Sequence, residues 1–384
     1  MDFRYDDEQD ALREAVSGLL GRAYGPSGEQ RRAATKADPG FDEKTWARLA
    51  EMGVLGLPFA EDDGGMGAGP VEVGIVAEEV GRVLAPEPFV EVVVLAGGLV
   101  AALGTPEQRA EVLGAIAEGS CVAALAHAEP GTRWSAAASA VTATEQDGGW
   151  RLTGVKEPVL AGARADLLVV TAVVGDGTAA FLVRPDAEGL ARTGYATHDG
   201  GRAARVAFDG TPAELLGEAA GDRTADIERV LSAGRIAYAN EAVGAMDTAL
   251  KTTAEYLKTR KQFGVPLSRF QSLTFRAADM YVSLELARST ALWATMVLDA
   301  GGDMVAAADR ARLQTSRAGR HVGKEAIQLH GGIGVTAEYS VGHYTSRLTA
   351  IDHVLGDGDW AADRLAARVG SYPTVDPLGA PYTG

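Results

Sequence analysis

Two short stretches concentrate side chains able to do chemistry: Arg260-Lys261-Gln262-Phe263-Gly264 and Gln328-Leu329-His330-Gly331-Gly332. Both fall at the ends of helical patterns. A guanidinium such as that of Arg260 is planar and permanently charged, which suits a pyrophosphate. Gln262, Gln271 and Gln328 add amide donors and acceptors, and Phe263 offers a flat ring to pack on a ligand. Gly331 and Gly332 have no Cβ, so a ligand can come close to their backbone N–H groups. An isolated arginine is usually half of a surface ion pair; a matched five-residue motif with a second motif downstream reads differently.

Other chemistries find no support. Asp63-Gly64-Gly65-Met66-Gly67-Ala68-Gly69-Pro70 is rich in glycine, but Pro70 stands where G-x-G-x-x-G needs its third glycine after Gly65 and Gly67. No strand pattern precedes it, so it reads as a loop. His330-Gly331-Gly332 is similar to the oxyanion turn of lipases, yet no G-x-S-x-G occurs. The six histidines show no H-E-x-x-H pairing, and one cysteine, Cys121, allows neither an intrachain disulfide nor a Cys-based zinc site. The formal charge of −16 would repel a phosphate polymer and argues against nucleic acid as a partner. No run of about 18 apolar residues is present, which predicts no membrane span. The start is acidic (Asp2, Asp6, Asp7, Glu8), unlike a signal peptide, so the expectation is a cytoplasmic enzyme or binding protein.

At 384 residues the chain predicts two or three domains. Residues 7–24 carry an amphipathic stripe (Leu12, Val16, Leu19, Leu20) with Asp6 or Asp7 as N-cap. A polar stretch from Gly25 to Gly40 follows. Asp42 opens a second helix through Trp46, Leu49 and Met52, and 71–84, 90–103 and 106–118 give three more, the last behind Thr105-Pro106. From about Ser120 the pattern becomes short β-branched runs between Gly/Asp turns, at Val141–Ala143, Trp150–Leu152, Leu167–Val174, Ala179–Val183 and Ala204–Phe208. Beyond Asp222, Ile227, Val230, Leu231, Ile236, Val243, Leu250 and Leu257 trace a helical seam. Further long helices are expected at Gln271–Ala300, Asp303–Leu329 and Glu338–Val354, with a short one after Asp357. The fold class is a multi-domain α+β chain. It has an N-terminal helical domain (1–119), a middle antiparallel β-barrel or sandwich (120–214), a C-terminal four-helix bundle (222–370) and a tail (371–384).

That order of domains, with these motifs, resembles the acyl-CoA dehydrogenase family over nearly the whole chain. The resemblance lies in Trp46-Ala47-Arg48-Leu49-Ala50-Glu51-Met52-Gly53, Ala128-Glu129-Pro130-Gly131, Leu152-Thr153-Gly154-Val155-Lys156, Arg260 through Gln271, and Gln328 through Gly334. It implies FAD as cofactor, an acyl-CoA substrate, a tetramer and a flavoprotein as electron acceptor. It also implies that Arg260, Gln262, Phe263, Gln271, Gln328, Gly331 and Gly332 hold the ADP part of a neighbouring subunit's FAD.

The departures from the family are as informative. Dehydrogenation needs a carboxylate to take the α-proton while the flavin accepts the β-hydride. The family places that base in a Tyr-Glu-Gly-Thr segment near the C-terminus or beside an arginine in the first bundle helix. Aligning on Arg347 and Ile351, and on Arg235 and Arg260, those positions hold Gly356 and Gly234. Ala128 replaces the threonine that precedes Glu129. Pro158, Val159 and Leu160 replace the usual aromatic-Ile-Thr against the flavin ring. Some members, notably actinobacterial ones acting on steroid side chains, are α2β2 heterotetramers whose second subunit donates the ADP segments without a base. The leading expectation is such a subunit, paired with a homologous chain. Glu241, set among small residues on a helix face, and Asp357, one residue past the missing glutamate, keep open a self-sufficient homotetramer. Their simpler roles are an ion pair and the N-cap of the last helix. Glu338 lies away from either base position. A binding or scaffolding protein without redox chemistry is the third reading.

Overall fold

The computed structural model describes residues 5–25, 28–132, 134–146 and 148–371. Asp147 and the tail beyond Ser371, including Pro373, Pro377 and Pro381, lie outside the described residues.

The chain opens with α1 (Asp7–Tyr24), where Asp6 and Gln9 exchange side-chain and backbone hydrogen bonds in a capping box. α2 (Glu29–Lys36) forms inside the polar stretch. It buries an arginine, Arg31, and no apolar stripe, so periodicity gives no sign of it. α3 (Glu43–Glu51) is capped by Asp42, and α4 (Pro70–Val83) starts on proline. The single helix expected over 90–103 is corrected. Val90–Gly97 winds as a π-helix and only then continues as α5 (Gly98–Leu103). The run is apolar on all sides, and an all-round apolar pattern does not distinguish the two windings. α6 (Pro106–Ala117) follows behind a Thr105–Gln108 capping box.

Seven strands form the β domain: β1 (Ala123–Ala126), β2 (Thr142–Gln146), β3 (Gly149–Leu160), β4 (Leu167–Val174), β5 (Gly177–Val183), β6 (Leu190–Ala196) and β7 (Arg202–Leu215). The pairings β4–β2, β2–β3, β3–β7, β7–β5 and β5–β4 close on themselves as a barrel. Purely antiparallel pairing does not hold: β1 runs parallel to β4, and β2 meets β4 in parallel at Thr142 and Val173. Asp166, just ahead of β4, sets that register. Its backbone N–H donates to Val122 O and its carboxylate accepts from Val122 N (2.9 Å). β1 has no β-branched residue and β6 only Thr193, so neither carries the run that marks a strand, and neither is among the expected ones.

The bundle comprises α7 (Thr224–Thr259), α8 (Gln271–Asp299), α9 (Met304–His330) and α10 (Val341–His353), followed by α11 (Gly358–Ala367). A small hairpin, β8 (Lys261–Gln262) and β9 (Val265–Pro266), joins α7 to α8. The fourth long helix starts three residues later than expected, because the chain from 336 to 340, behind a 3-10 turn at Gly331–Val335, is still in bends and turns. The helical domain and the bundle share one hydrophobic core, and the barrel has its own. Two glycines let α4 and α7 touch at backbone level. A Cβ on Gly81 would lie 2.0 Å from Glu241 O, and one on Gly244 would lie 1.9 Å from Glu78 O.

Candidate functional site

The two motifs meet at one corner of the bundle. Tyr256, one turn before the end of α7, stacks on His330 at the end of α9 (4.4 Å, 30°), and Tyr339 packs against both. His330 Nδ1 donates to Ala326 O (2.7 Å), because a carbonyl can only accept. Burial lowers the imidazole's pKa and keeps it neutral. The stack sets Arg260, the C-cap of α7, beside Gly331, the C-cap of α9. Arg260, Gln262, Gln271 and Gln328 are all exposed, and Arg260 makes no ion pair among the described residues. Phe263 sits at the hairpin tip at φ 53° and is 91% exposed, with its ring edge-on to Phe270 (6.1 Å). Gln271 begins α8, whose first turn has neither a side-chain cap nor an acidic residue; Leu273 N donates to Phe270 O, and the N–H groups of Gln271 and Ser272 are left to an anion. A Cβ on Gly331 or Gly332 would meet nothing within 4 Å. This corner fits the ADP half of a dinucleotide: Arg260 makes no ion pair among the described residues, Gln262 spends only one amide N–H, on Lys261 O (2.9 Å), and the glycines leave an open cradle.

The cleft between the barrel and the bundle is built differently. Lys156 on β3 is fully buried and spends its ammonium on Glu129 (2.8 Å), His127 O (2.9 Å) and Thr171 Oγ1 (3.1 Å). Glu129 also accepts from Ser139, Ala140 and Val141. Burial alone would raise its carboxyl, but the Lys156 ammonium and these donors outweigh it and hold it at about 2. Burial brings Lys156 down to about 8. Burial and the nearby Lys156 charge bring His127 to about 4. The network fixes the Ala128–Val141 segment over the cleft. From that segment Trp134 reaches across, donates its indole N–H to His353 O (3.2 Å) and meets Trp360 edge-on (6.2 Å). A cavity of about 150 Å³ remains, walled by Glu91, Leu95, Trp134, Pro158, Arg235 and Leu355 among others. Ala128 and Leu160 on that wall offer no hydroxyl to a flavin ring. The ADP end of FAD therefore fits this chain, whereas the two wall positions expected against the flavin ring carry no hydrogen-bonding side chain.

Both base positions are closed. A Cβ on Gly234 would stand 2.4 Å from Leu95 Cδ2 and 3.0 Å from Leu355 Cδ1. Gly356 sits at φ 118°, and a Cβ there would lie 2.3 Å from the Trp360 ring. Trp360 is held between the guanidiniums of Arg235 (4.7 Å) and Arg364 (4.5 Å). Asp357 accepts from Trp360 N (2.8 Å) and caps α11. Glu241 is 1% exposed and paired with Arg347 (2.6 Å), which also binds Asp199 (2.8 Å). Neither Asp357 nor Glu241 lines the cleft. Three carboxylates do line it: Glu129, paired with Lys156, Glu157, paired with Arg205, and Glu91 on the π-helix, which the sequence reading did not single out. Glu91 accepts from Tyr238 (2.8 Å), and burial raises its pKa. Trp134, Trp360, His127 and Tyr238 were also missed, since no local motif marks them.

Comparison with known proteins follows this geometry. Residues 6–120 match the family model described as acyl-CoA dehydrogenase, N-terminal domain, and residues 224–370 match acyl-CoA dehydrogenase, C-terminal domain. The probable acyl-CoA dehydrogenase YngJ of Bacillus subtilis is 30% identical, over 89% of this chain and 92% of its own length. Among solved structures, a variant of the Tcur3481–Tcur3483 steroid ACAD superposes with a TM-score of 0.87 at 32% identity (95% of this chain, 98% of that one). The ChsE4–ChsE5 complex from Mycobacterium tuberculosis superposes with a TM-score of 0.89 at 27% identity (97% of this chain, 100% of that one). With helical, β and bundle domains in the same order, an ADP corner that fits FAD and these matches across both helical regions, the chain belongs to the acyl-CoA dehydrogenase family of FAD-dependent oxidoreductases acting on CH–CH groups.

Proposed function

We propose that this chain is the ADP-donating subunit of a hetero-oligomeric acyl-CoA dehydrogenase, paired with a homologous chain that supplies the catalytic carboxylate. The observation carrying this is the closure of both base positions, Gly234 by Leu95 and Leu355, and Gly356 by Trp360. In the shared site FAD, when bound, supplies the hydride acceptor. Arg260 and the open α8 N-terminus hold the pyrophosphate, the glutamines orient it, and Gly331 and Gly332 admit it to the backbone. Trp134 and Trp360 keep this chain's own cleft shut against a flavin ring. Two of the superposed structures carry two-component names, one of them a steroid enzyme, which supports an unlike partner and a bulky acyl group. Electrons then leave to a separate flavoprotein acceptor.

Coexpression with a homologous chain carrying the glutamate tests the proposal. One FAD per pair of unlike chains is expected, with acyl-CoA-dependent flavin bleaching in the complex and none in this chain alone. Arg260→Ala should cost at least tenfold in FAD affinity, about 1.4 kcal/mol or more. A homotetramer that retains one FAD per chain and oxidises acyl-CoA overturns it.

Glu91 favours that second reading over Glu241 or Asp357, because it lines the cleft and, unlike Glu129 and Glu157 beside it, makes no ion pair among the described residues. In an active homotetramer, Glu91→Gln should lower kcat by 100-fold or more; unchanged kcat would remove Glu91 from consideration.

A further inference from the structure

We propose that the apolar cavity on the far side of α7, floored by Asn240, binds a compact, mainly hydrocarbon molecule bearing one hydroxyl, at a site separate from the flavin cleft. The cavity measures about 260 Å³ and lies between the glycine-rich loop, α4, the π-helix, α5, α7 and the end of α8. Close-packed interiors seldom leave voids much larger than a water molecule. An enclosed apolar cavity of about 150 Å³ takes benzene, and this one is larger and open at one side, where Ala101 is exposed. Small residues from several elements, Gly74, Gly98, Ala101, Ala233 and Ala237, leave the space open between larger ones such as Phe59, Ile236 and Leu298.

α7 and the π-helix divide their faces between the two spaces. Leu231 and Arg235, with Glu91 and Leu95, face the flavin cleft. Ala233, Ile236, Ala237 and Asn240, with Val93 and Val94, face the cavity. No residue lines both, so a ligand here does not depend on whether the chain's own flavin site works.

Asn240 carries the only polar side chain on the wall and is 8% exposed. Its Nδ2 donates to Ile236 O (3.0 Å) and Thr295 Oγ1 (3.0 Å). Ile236 O can only accept, which fixes the amide's orientation. Oδ1 is thereby left as an acceptor with no donor among the described residues. Gly74 keeps it uncovered, since a Cβ there would stand 3.6 Å from it. An acceptor in an apolar chamber selects for a ligand with one donor, because a hydrocarbon of the same shape leaves it unpaired.

The probe is 1-adamantanol, with 1-fluoroadamantane as an isostere that cannot donate. Both are titrated calorimetrically into the full chain in its native assembly. Saturable binding of the alcohol is expected, at least tenfold tighter than the fluoride, with the preference lost in Asn240→Leu. Ala101 lines the cavity and is exposed, so Ala101→Trp blocks the mouth without disturbing the buried amide and should abolish binding of both probes even if Asn240→Leu does not fold. No saturable binding, equal affinity for the two probes, insensitivity to Ala101→Trp, or binding to the isolated chain but not to its assembly overturns the proposal.

Discussion

At the scale of single residues, what decides function is where a side chain has no room. Gly356 cannot regain a catalytic glutamate by substitution, because its left-handed φ and the Trp360 ring both oppose a Cβ. Gly356→Glu is expected to destabilise the chain by roughly 2 kcal/mol or more and to confer no acyl-CoA oxidation; a denaturation midpoint and a dye-reduction assay check the two parts. Glu87 is another buried carboxyl, 3% exposed, accepting from Tyr24 and Asp42 and with one oxygen lacking a partner. Burial raises its pKa from 4.5 to about 7. A carboxyl whose folded pKa lies above its unfolded value favours folding most below the unfolded value, and that contribution is lost as pH rises through the folded one. Between about pH 5 and 8 the wild type should therefore lose on the order of 2 kcal/mol from this group. Glu87→Gln should flatten that part of the Tm-against-pH profile; a profile equally steep in the variant would assign the pH dependence elsewhere.

At the scale of elements, the segment from β1 to β2 shows how the sheet holds a cleft shut. Lys156 and Glu129 are side chains of the barrel, yet their pairing positions Trp134, which then closes onto α10 and α11. Removing one partner of a buried pair leaves the other charge stranded. Lys156→Met is expected to cost about 3–5 kcal/mol in the transition that unfolds the barrel, read by calorimetry. The segment was legible in part. Ala128-Glu129-Pro130-Gly131 and Lys156 stood out as family motifs, but that they bond one another across 27 positions is a consequence of barrel closure.

At the scale of the molecule, α8 presents an unpartnered apolar face. Phe275, Val282 and Leu286, at helical spacing, are each more than half exposed, and Tyr281 lies beside them. Exposed patches of this kind mark association surfaces. The same helix begins at the ADP corner, so the chain that covers α8 is well placed to share the cofactor. Val282→Asp with Leu286→Asp should shift the sedimentation coefficient of the assembly toward that of a single chain and release FAD with it. An unchanged coefficient would place the subunit contact on another face.

Local chemistry settled much by itself. Capping residues marked the starts of α1, α3, α6 and α11, and apolar seams gave the long bundle helices. The motif glycines and Arg260 pointed to a dinucleotide, because those preferences act within a few residues of chain. The order of helical, β and bundle regions was legible for the same reason. The parallel pairing of β1 with β4 and the π-winding of Val90–Gly97 were not, since both are set by packing against distant segments. Glu241 shows the limit most plainly. On its own helix it reads first as half of an ion pair and second as a base, and its partner, Arg347 from 106 positions away, comes only with the tertiary fold. The closure of Gly234 and Gly356 was decided in the same way. An absent side chain is written in the sequence, whereas the group that occupies its space is chosen by the tertiary fold.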